Sequence, residues 1–231
     1  MDFSTFKFRA SSLPDLMTKS RSSDPLSETT KSALRELWIK EVYKREKFDT
    51  YSKFTDKGII VESDSLDLVQ TVTGQVYFKN KAQLENEFIT GTPDVIFKAK
   101  DKAPVSVIDI KSSWDIWTFA SVDEKVAQKN YYAQLLGYMW LTEAKQGDLI
   151  YCLVNTPEEI IANELYKLSF RFPEIGTSEE ADAKYKRNYI FNDIEASKRM
   201  KKFTFQYDEK LVEELKEKIA LARQYMSGLT L

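Results

Sequence analysis

Asp109 and Lys111 interrupt an otherwise apolar run, VSVIDIKSSW, from Val105 to Trp114. Strand side chains alternate with period two, so Val105, Val107, Asp109 and Lys111 share one face while Ser106, Ile108 and Ile110 share the other. An acid and a lysine therefore stand side by side. Burying either one alone is costly, so the pair is either a surface ion pair where the strand leaves its sheet or a site that needs both charges. Asp94 closes the segment GTPD, 15 residues before Asp109. Gly91 permits an unusual backbone there and Pro93 removes a ladder donor, which predicts a bend or bulge. The spacing is about that of a strand, a turn and a returning strand, so a hairpin would bring the two carboxylates together. With no arginine nearby they repel unless a cation lies between them. A hard divalent ion such as Mg²⁺ takes oxygen ligands of this kind, and Mn²⁺ fits as well.

Three more polar residues lie on apolar stripes. On a helix, Glu62 shares a face with Gly58, Ile59, Leu66 and Val69, where an acid needs a partner. Gln134 and Tyr138 are four apart on a helix face that also carries Ala127, Tyr131 and Leu141. Such polar tips either point into a pocket or are satisfied core groups.

The elements that position these residues follow from periodicity. Phe3 to Phe8 is a short aromatic alternation, followed by a Ser-, Thr- and Pro-containing arm expected to play no part in the core. Helical spacing of Leu34, Leu37, Trp38 and Val42 predicts a helix from Ser27 to about Arg45, with Ser27 as its cap. A second helix is expected over Phe54 to Val72. NEFITGTPDVIFKAK and APVSVIDIK read as an antiparallel hairpin turning at Lys100 to Lys102, and a long helix follows from about Asp123 to Lys145. DLIYCLVN, Asp148 to Asn155, is apolar enough for a strand buried on both faces. Beyond it, helices are expected around Glu158 to Leu168 and Asp193 to Met200. The alternation Phe203, Phe205, Tyr207 and a final helix striped by Leu211, Leu215, Ile219, Ala222 and Met226 complete the chain.

With 231 residues, 42% of them hydrophobic and 13% aromatic, the chain suits one large globular domain or a domain with an appended piece. Lys and Arg total 34 against 36 Asp and Glu, so total charge gives no sign of a nucleic-acid partner and any polyanion site must be local. Cys152 is the lone cysteine and histidine is absent, which excludes disulfide frameworks, thiolate metal clusters and histidine triads. Catalysis, if present, falls to oxygen ligands and lysine. The absence of a long apolar run or signal-peptide pattern leads to the expectation of a cytoplasmic protein without a membrane partner.

Taken together, Glu62, the Gly91–Asp94 segment, Asp109-Ile110-Lys111, and Gln134 with Tyr138 form an ordered set that resembles the PD-(D/E)XK nuclease superfamily. The similarity is to its lambda-type and phage recombination exonuclease branch, and RASSLPDLMT, KGIIVES and QLLGYMWLT extend it toward both ends. The resemblance implies a single α/β domain with a restriction-endonuclease-like core over about 54–155, a mixed sheet flanked by helices, with an arm and helix over 1–53 and an extension over 156–231. It further implies that Asp94, Asp109 and the Ile110 carbonyl bind metal, with Glu62 as the acid of the first core helix. Lys111 matches the active-site lysine, and Gln134 and Tyr138 match the helical motif after the core. Asp stands at 109 where many members have Glu, and the branch with a four-cysteine iron–sulfur cluster is excluded by the single cysteine.

The function so implied is a Mg²⁺-dependent deoxyribonuclease, an exonuclease acting on double-stranded DNA ends in phage recombination or repair. It would work beside a recombinase or annealing protein and possess a capacity to self-associate. The alternatives are an endonuclease of the same fold and a catalytically silent DNA-binding protein. The basic runs SKRMKK, with Lys198, Arg199, Lys201 and Lys202, and KYKRN are either solvated faces or phosphate contacts. Trp114 and Trp117, just after the lysine, either stack on bases or join the core.

Overall fold

The structure, a computed structural model, describes residues 2–47, 53–98 and 104–231. The chain opens with β1 (Phe8–Arg9), α1 (Leu13–Leu16) and α2 (Glu28–Tyr43); the Ser27 hydroxyl caps α2 by accepting from the Thr30 amide. Next come α3 (Lys53–Ile60), α4 (Glu62–Thr73), β2 (Leu84–Glu85), β3 (Ile89–Gly91), β4 (Val95–Lys98) and β5 (Pro104–Ser112). α5 (Ile116–Ser121) and α6 (Glu124–Thr142) are capped by the carboxylates of Asp115 and Asp123. They are followed by β6 (Gln146–Cys152), α7 (Glu158–Ser169), α8 (Glu179–Lys186), β7 (Met200–Gln206) and α9 (Glu209–Ser227).

The apolar runs assemble a mixed sheet in the order β4-β5-β6-β7, with β5 and β6 parallel and both outer pairs antiparallel. A parallel pair needs a long crossover, which α5 and α6 provide. β6, buried on both faces, is central, as its continuous apolar run requires. Alternation then divides the sheet. Ile108 and Ile150 face α4 through Val61, Leu68 and Val69, whereas Val107, Leu149 and Tyr151 face α6 and, through it, α9 and the N-terminal elements. Asp109 and Lys111 fall on the α6 side.

Several expectations give way to packing. The helix expected over 54–72 breaks at Val61, which leaves helical geometry and buries its side chain in the α4 face of the sheet, so Glu62 begins a new helix. The first strand of the hairpin also breaks. After β3 the chain leaves extended pairing over Thr92–Asp94, and β3 joins a second small sheet, β1-β3-β2, while only β4 pairs with β5. The Lys100–Lys102 turn lies outside the described residues. The helix expected from Asp193 shrinks to a 3₁₀ turn at Ala196–Arg199, because Met200 is already paired with Cys152 at the start of β7. The unexpected α8 carries ordinary signals: Ser178 caps it, acids crowd its first turn and lysines its last. In α9, Val212 replaces Leu211 in the buried stripe.

The N-terminal arm is core rather than appendage. Phe3, Phe8, Ala10, Leu13, Leu16 and Leu26 are all buried, and α1 packs on α6 where Gly137 leaves room. A Cβ at Gly137 would stand 2.7 Å from Leu13 Cδ1. Truncating a fully buried leucine leaves a cavity. Leu13→Ala is therefore expected to cost about 2–5 kcal/mol of stability, measured by denaturant unfolding; a loss under about 0.5 kcal/mol would mean that the arm is peripheral.

Candidate active site

Val95 pairs with Ile108, so one residue earlier Asp94 lies across from Asp109. The Ile110 amide donates to Asp94 Oδ2 at 2.7 Å, fixing this carboxylate against β5. Asp109 is 3% exposed; its Oδ2 meets Lys111 Nζ at 2.9 Å and accepts no other hydrogen bond among the described residues. Lys111 Nζ also donates to Gln134 Oε1 at 3.3 Å and sits 4.5 Å from the centre of the Tyr131 ring. Gln134 Nε2 in turn donates to the Tyr138 hydroxyl at 2.9 Å. One polar chain thus runs from β5 to α6: Asp109, Lys111, Gln134, Tyr138.

Gly91 matters for space, not for the backbone freedom expected of it: its φ is not positive, and a Cβ there would lie 2.8 Å from Tyr138 Cε1. Its absence of a side chain lets β3 close over the far end of the polar chain.

Burial raises the Asp94 pKa, and the facing Asp109 charge raises it further, while the Ile110 amide and Lys111 act in the opposite sense. Burial also works against the Lys111 ammonium, yet the charge and hydrogen bond of Asp109, with help from Tyr131 and Asp94, leave its pKa above the ordinary lysine value. Tyr138 is pushed up by burial and then by Asp109.

Glu62 begins α4, where the helix dipole favours an acid, and its carboxylate is bonded to Lys79. It stands between two clefts. One, of about 540 Å³, is lined by Gly58, Ile110, Lys111, Tyr131 and Tyr151 among others; the second, of about 280 Å³, includes Lys79 and Asp94. The donors are all oxygens, the set a hard divalent cation takes. Among the described residues no three acidic side chains gather closely enough to enclose an ion, and Glu62 is engaged by Lys79.

The basic run is largely structural. Lys201 Nζ donates to the carbonyls of Phe119, Ala120 and Val122 at the end of α5, and Lys202 pairs with buried Asp148 at 2.8 Å. Lys198 lies 3.7 Å from Glu195, and the Arg199 carbonyl accepts from the Leu153 amide. Of the basic residues of this run only Lys198 is exposed to solvent without also serving the sheet or α5. Trp117 is 73% exposed, while Trp114 is half-buried, its ring edge-on to Tyr189.

Sequence reasoning missed Tyr151, although parallel pairing of the two apolar strands sets it beside Lys111 on the same face. Its hydroxyl and that of Ser113 are buried without a hydrogen-bond partner among the described residues, and both side chains line the larger cleft. Lys57, inside the fold at 1% exposure, was also missed; nothing in its local pattern sets it apart from a surface lysine.

Asp94 makes stability pH-dependent. Its native pKa is raised from 3.8 to about 7, so between these values the native state holds a proton that the unfolded state has released. Stability is expected to fall as pH rises through that window, and Asp94→Asn to flatten this part of the curve in urea titrations. Gly91→Ala is expected to cost about 1–3 kcal/mol through its clash with Tyr138, read by the same titrations at neutral pH.

No protein-family model matches the chain, and no curated protein sequence does. Among solved structures, a phage-related exonuclease from Haemophilus somnus 129PT superposes with a TM-score of 0.76 at 27% identity, covering 96% of this chain and 94% of its own. The alkaline exonuclease LHK-Exo from Laribacter hongkongensis gives 0.62 at 13% identity over 97% of this chain and 89% of its own, and that enzyme has also been solved with dAMP. Over almost its whole length, the chain has the fold of the phage-type exonucleases in the PD-(D/E)XK nuclease superfamily.

Proposed function

We propose that this protein is a metal-dependent deoxyribonuclease that degrades duplex DNA from its ends. The observation that carries the proposal is the Asp94–Asp109 carboxylate pair abutting Lys111, with Gln134 and Tyr138 linked behind it, at the edge of an open cleft. Two facing carboxylates, one with its pKa driven up, are a site short of positive charge. Asp94, Asp109 and the Ile110 carbonyl would hold a divalent ion such as Mg²⁺, and Glu62 would join them on leaving Lys79. Such an ion, when bound, lowers the pKa of an attacking water and neutralises phosphate charge.

The remaining roles belong to the chain itself. Lys111, protonated at neutral pH, acts as a donor to a phosphate oxygen rather than as a base. Gln134 fixes the direction of the Lys111 ammonium, and Tyr138 fixes Gln134. The exonuclease names of the two neighbours support action at ends, and the phage-related character of the first supports a setting in phage recombination alongside an annealing protein. Among the described residues no helix is long and apolar enough to cross a membrane.

The test is a time course with Mg²⁺ on linear duplex, linear single-stranded and closed circular DNA. Progressive loss of the linear duplex with the circle spared is expected, and Asp109→Ala or Lys111→Ala should lower the rate by at least about 10²-fold. Cutting of the circle would replace the proposal with an endonuclease, and metal-independent or absent cleavage would refute it. Tyr151→Phe removes a hydroxyl that none of the described residues satisfies, so its melting temperature should be unchanged or higher.

A further inference from the structure

A lysine is rarely enclosed, and the reason for burying Lys57 lies in what it touches. From α3 it reaches the end of β5, where Nζ donates to the carbonyl of Ser113 at 2.8 Å and of Trp114 at 2.9 Å. The rings of Phe191 and Trp114 lie 5.6 and 5.9 Å from the ammonium. Burial pulls its pKa down to about 8, opposed by the charge of Asp115, so the position costs desolvation that an apolar side chain of the same length would avoid.

What that cost secures is a geometric tie. The Ser113 amide, donating to the Cys152 carbonyl, extends the contact between β5 and β6 one residue past the paired strands. Past it the chain leaves the sheet, two residues after Lys111, and Asp115 then caps α5. Gly58 and Ile59, the next residues of α3, line the 540 Å³ cleft, and so do Ser113, Trp114 and Thr118. A single buried ammonium therefore ties together two segments that both line the cleft.

We propose that Lys57 is a positioning residue that sets the width of the DNA cleft, acting through Ser113 and Trp114 on substrate binding and leaving the chemistry at Lys111 alone. The inference rests on the nuclease reading above. If the ammonium fixes only how well DNA fits, its loss weakens ground state and transition state alike, which raises KM and spares kcat.

The experiment is steady-state cleavage of linear duplex by wild type, Lys57→Met and Asp115→Ala with Mg²⁺, each paired with a thermal melt. Lys57→Met is expected to raise KM about tenfold or more with kcat within about threefold. Asp115→Ala, which loosens the first turn of α5 and leaves Lys57 in place, should raise KM less, in the same direction. A Lys57→Met protein that melts lower but keeps the wild-type KM would show a purely structural lysine and overturn the proposal, as would a fall in kcat at constant KM. If Lys57→Met does not fold, a wild-type KM in Asp115→Ala overturns it. An inactive wild type is a different failure, since it refutes the nuclease reading itself.

Discussion

The ion pair between Asp109 and Lys111 sets the terms for everything around it. Two opposite charges on one face of a central strand are tolerable inside a protein only when their remaining bonding capacity is met or used. Here the lysine turns to Gln134 and the face of Tyr131, and the acid looks toward Asp94. Gln134 and Tyr131 come from α6 and Asp94 stands just ahead of β4, so the parallel β5–β6 pair, the α6 crossover and the β4 hairpin partner must all hold their registers at once. A slip of one residue in β5 would turn both charges to the α4 face, among Val61, Leu68 and Val69.

Close approach does much of the fixing. Gly91 brings β3 against Tyr138, and Gly137 brings α1 against α6, so the helix carrying Gln134 and Tyr138 is pressed from two directions by N-terminal elements. The small sheet and the arm thus belong to the architecture of the site although neither contributes a charge to it. On the opposite side, Lys201 of β7 holds the end of α5 and Lys57 of α3 holds its beginning. Lysines serve here mainly as long donors to carbonyls that lie beyond helix and strand ladders.

Local signals were legible and encounters between distant segments were not. Ser27 and Asp123 announce their helices, because a cap acts within one turn. The alternation through Asp109 and Lys111 announces the charged face, because pleating is local as well. By contrast, the break at Val61 is decided by the sheet it packs on, and the engagement of Glu62 by Lys79 depends on a segment 17 residues away. Lys57 and Ser113 are 56 residues apart. The basic run from Ser197 to Lys202 is subject to the same limit: charge density is visible in a sequence, but whether Asp148 or a carbonyl already occupies each lysine is not.

β6 and β7 are antiparallel neighbours that a tight turn could join, yet the chain makes an excursion from Leu153 to Arg199, closed at its base by the hydrogen bond between those two residues. Topologically the excursion is a cassette: it carries its own small core around Ile161, Leu165 and Ile175, and its length is uncoupled from the register of the sheet. Its inner edge nevertheless meets the rim of the cleft, through Tyr189 against Trp114 and Phe191 beside Lys57. The excursion, closed at its base on the sheet, is thereby also fastened to the rim of the cleft. Variation in substrate preference among proteins of this fold can arise there while the charged strand stays unchanged.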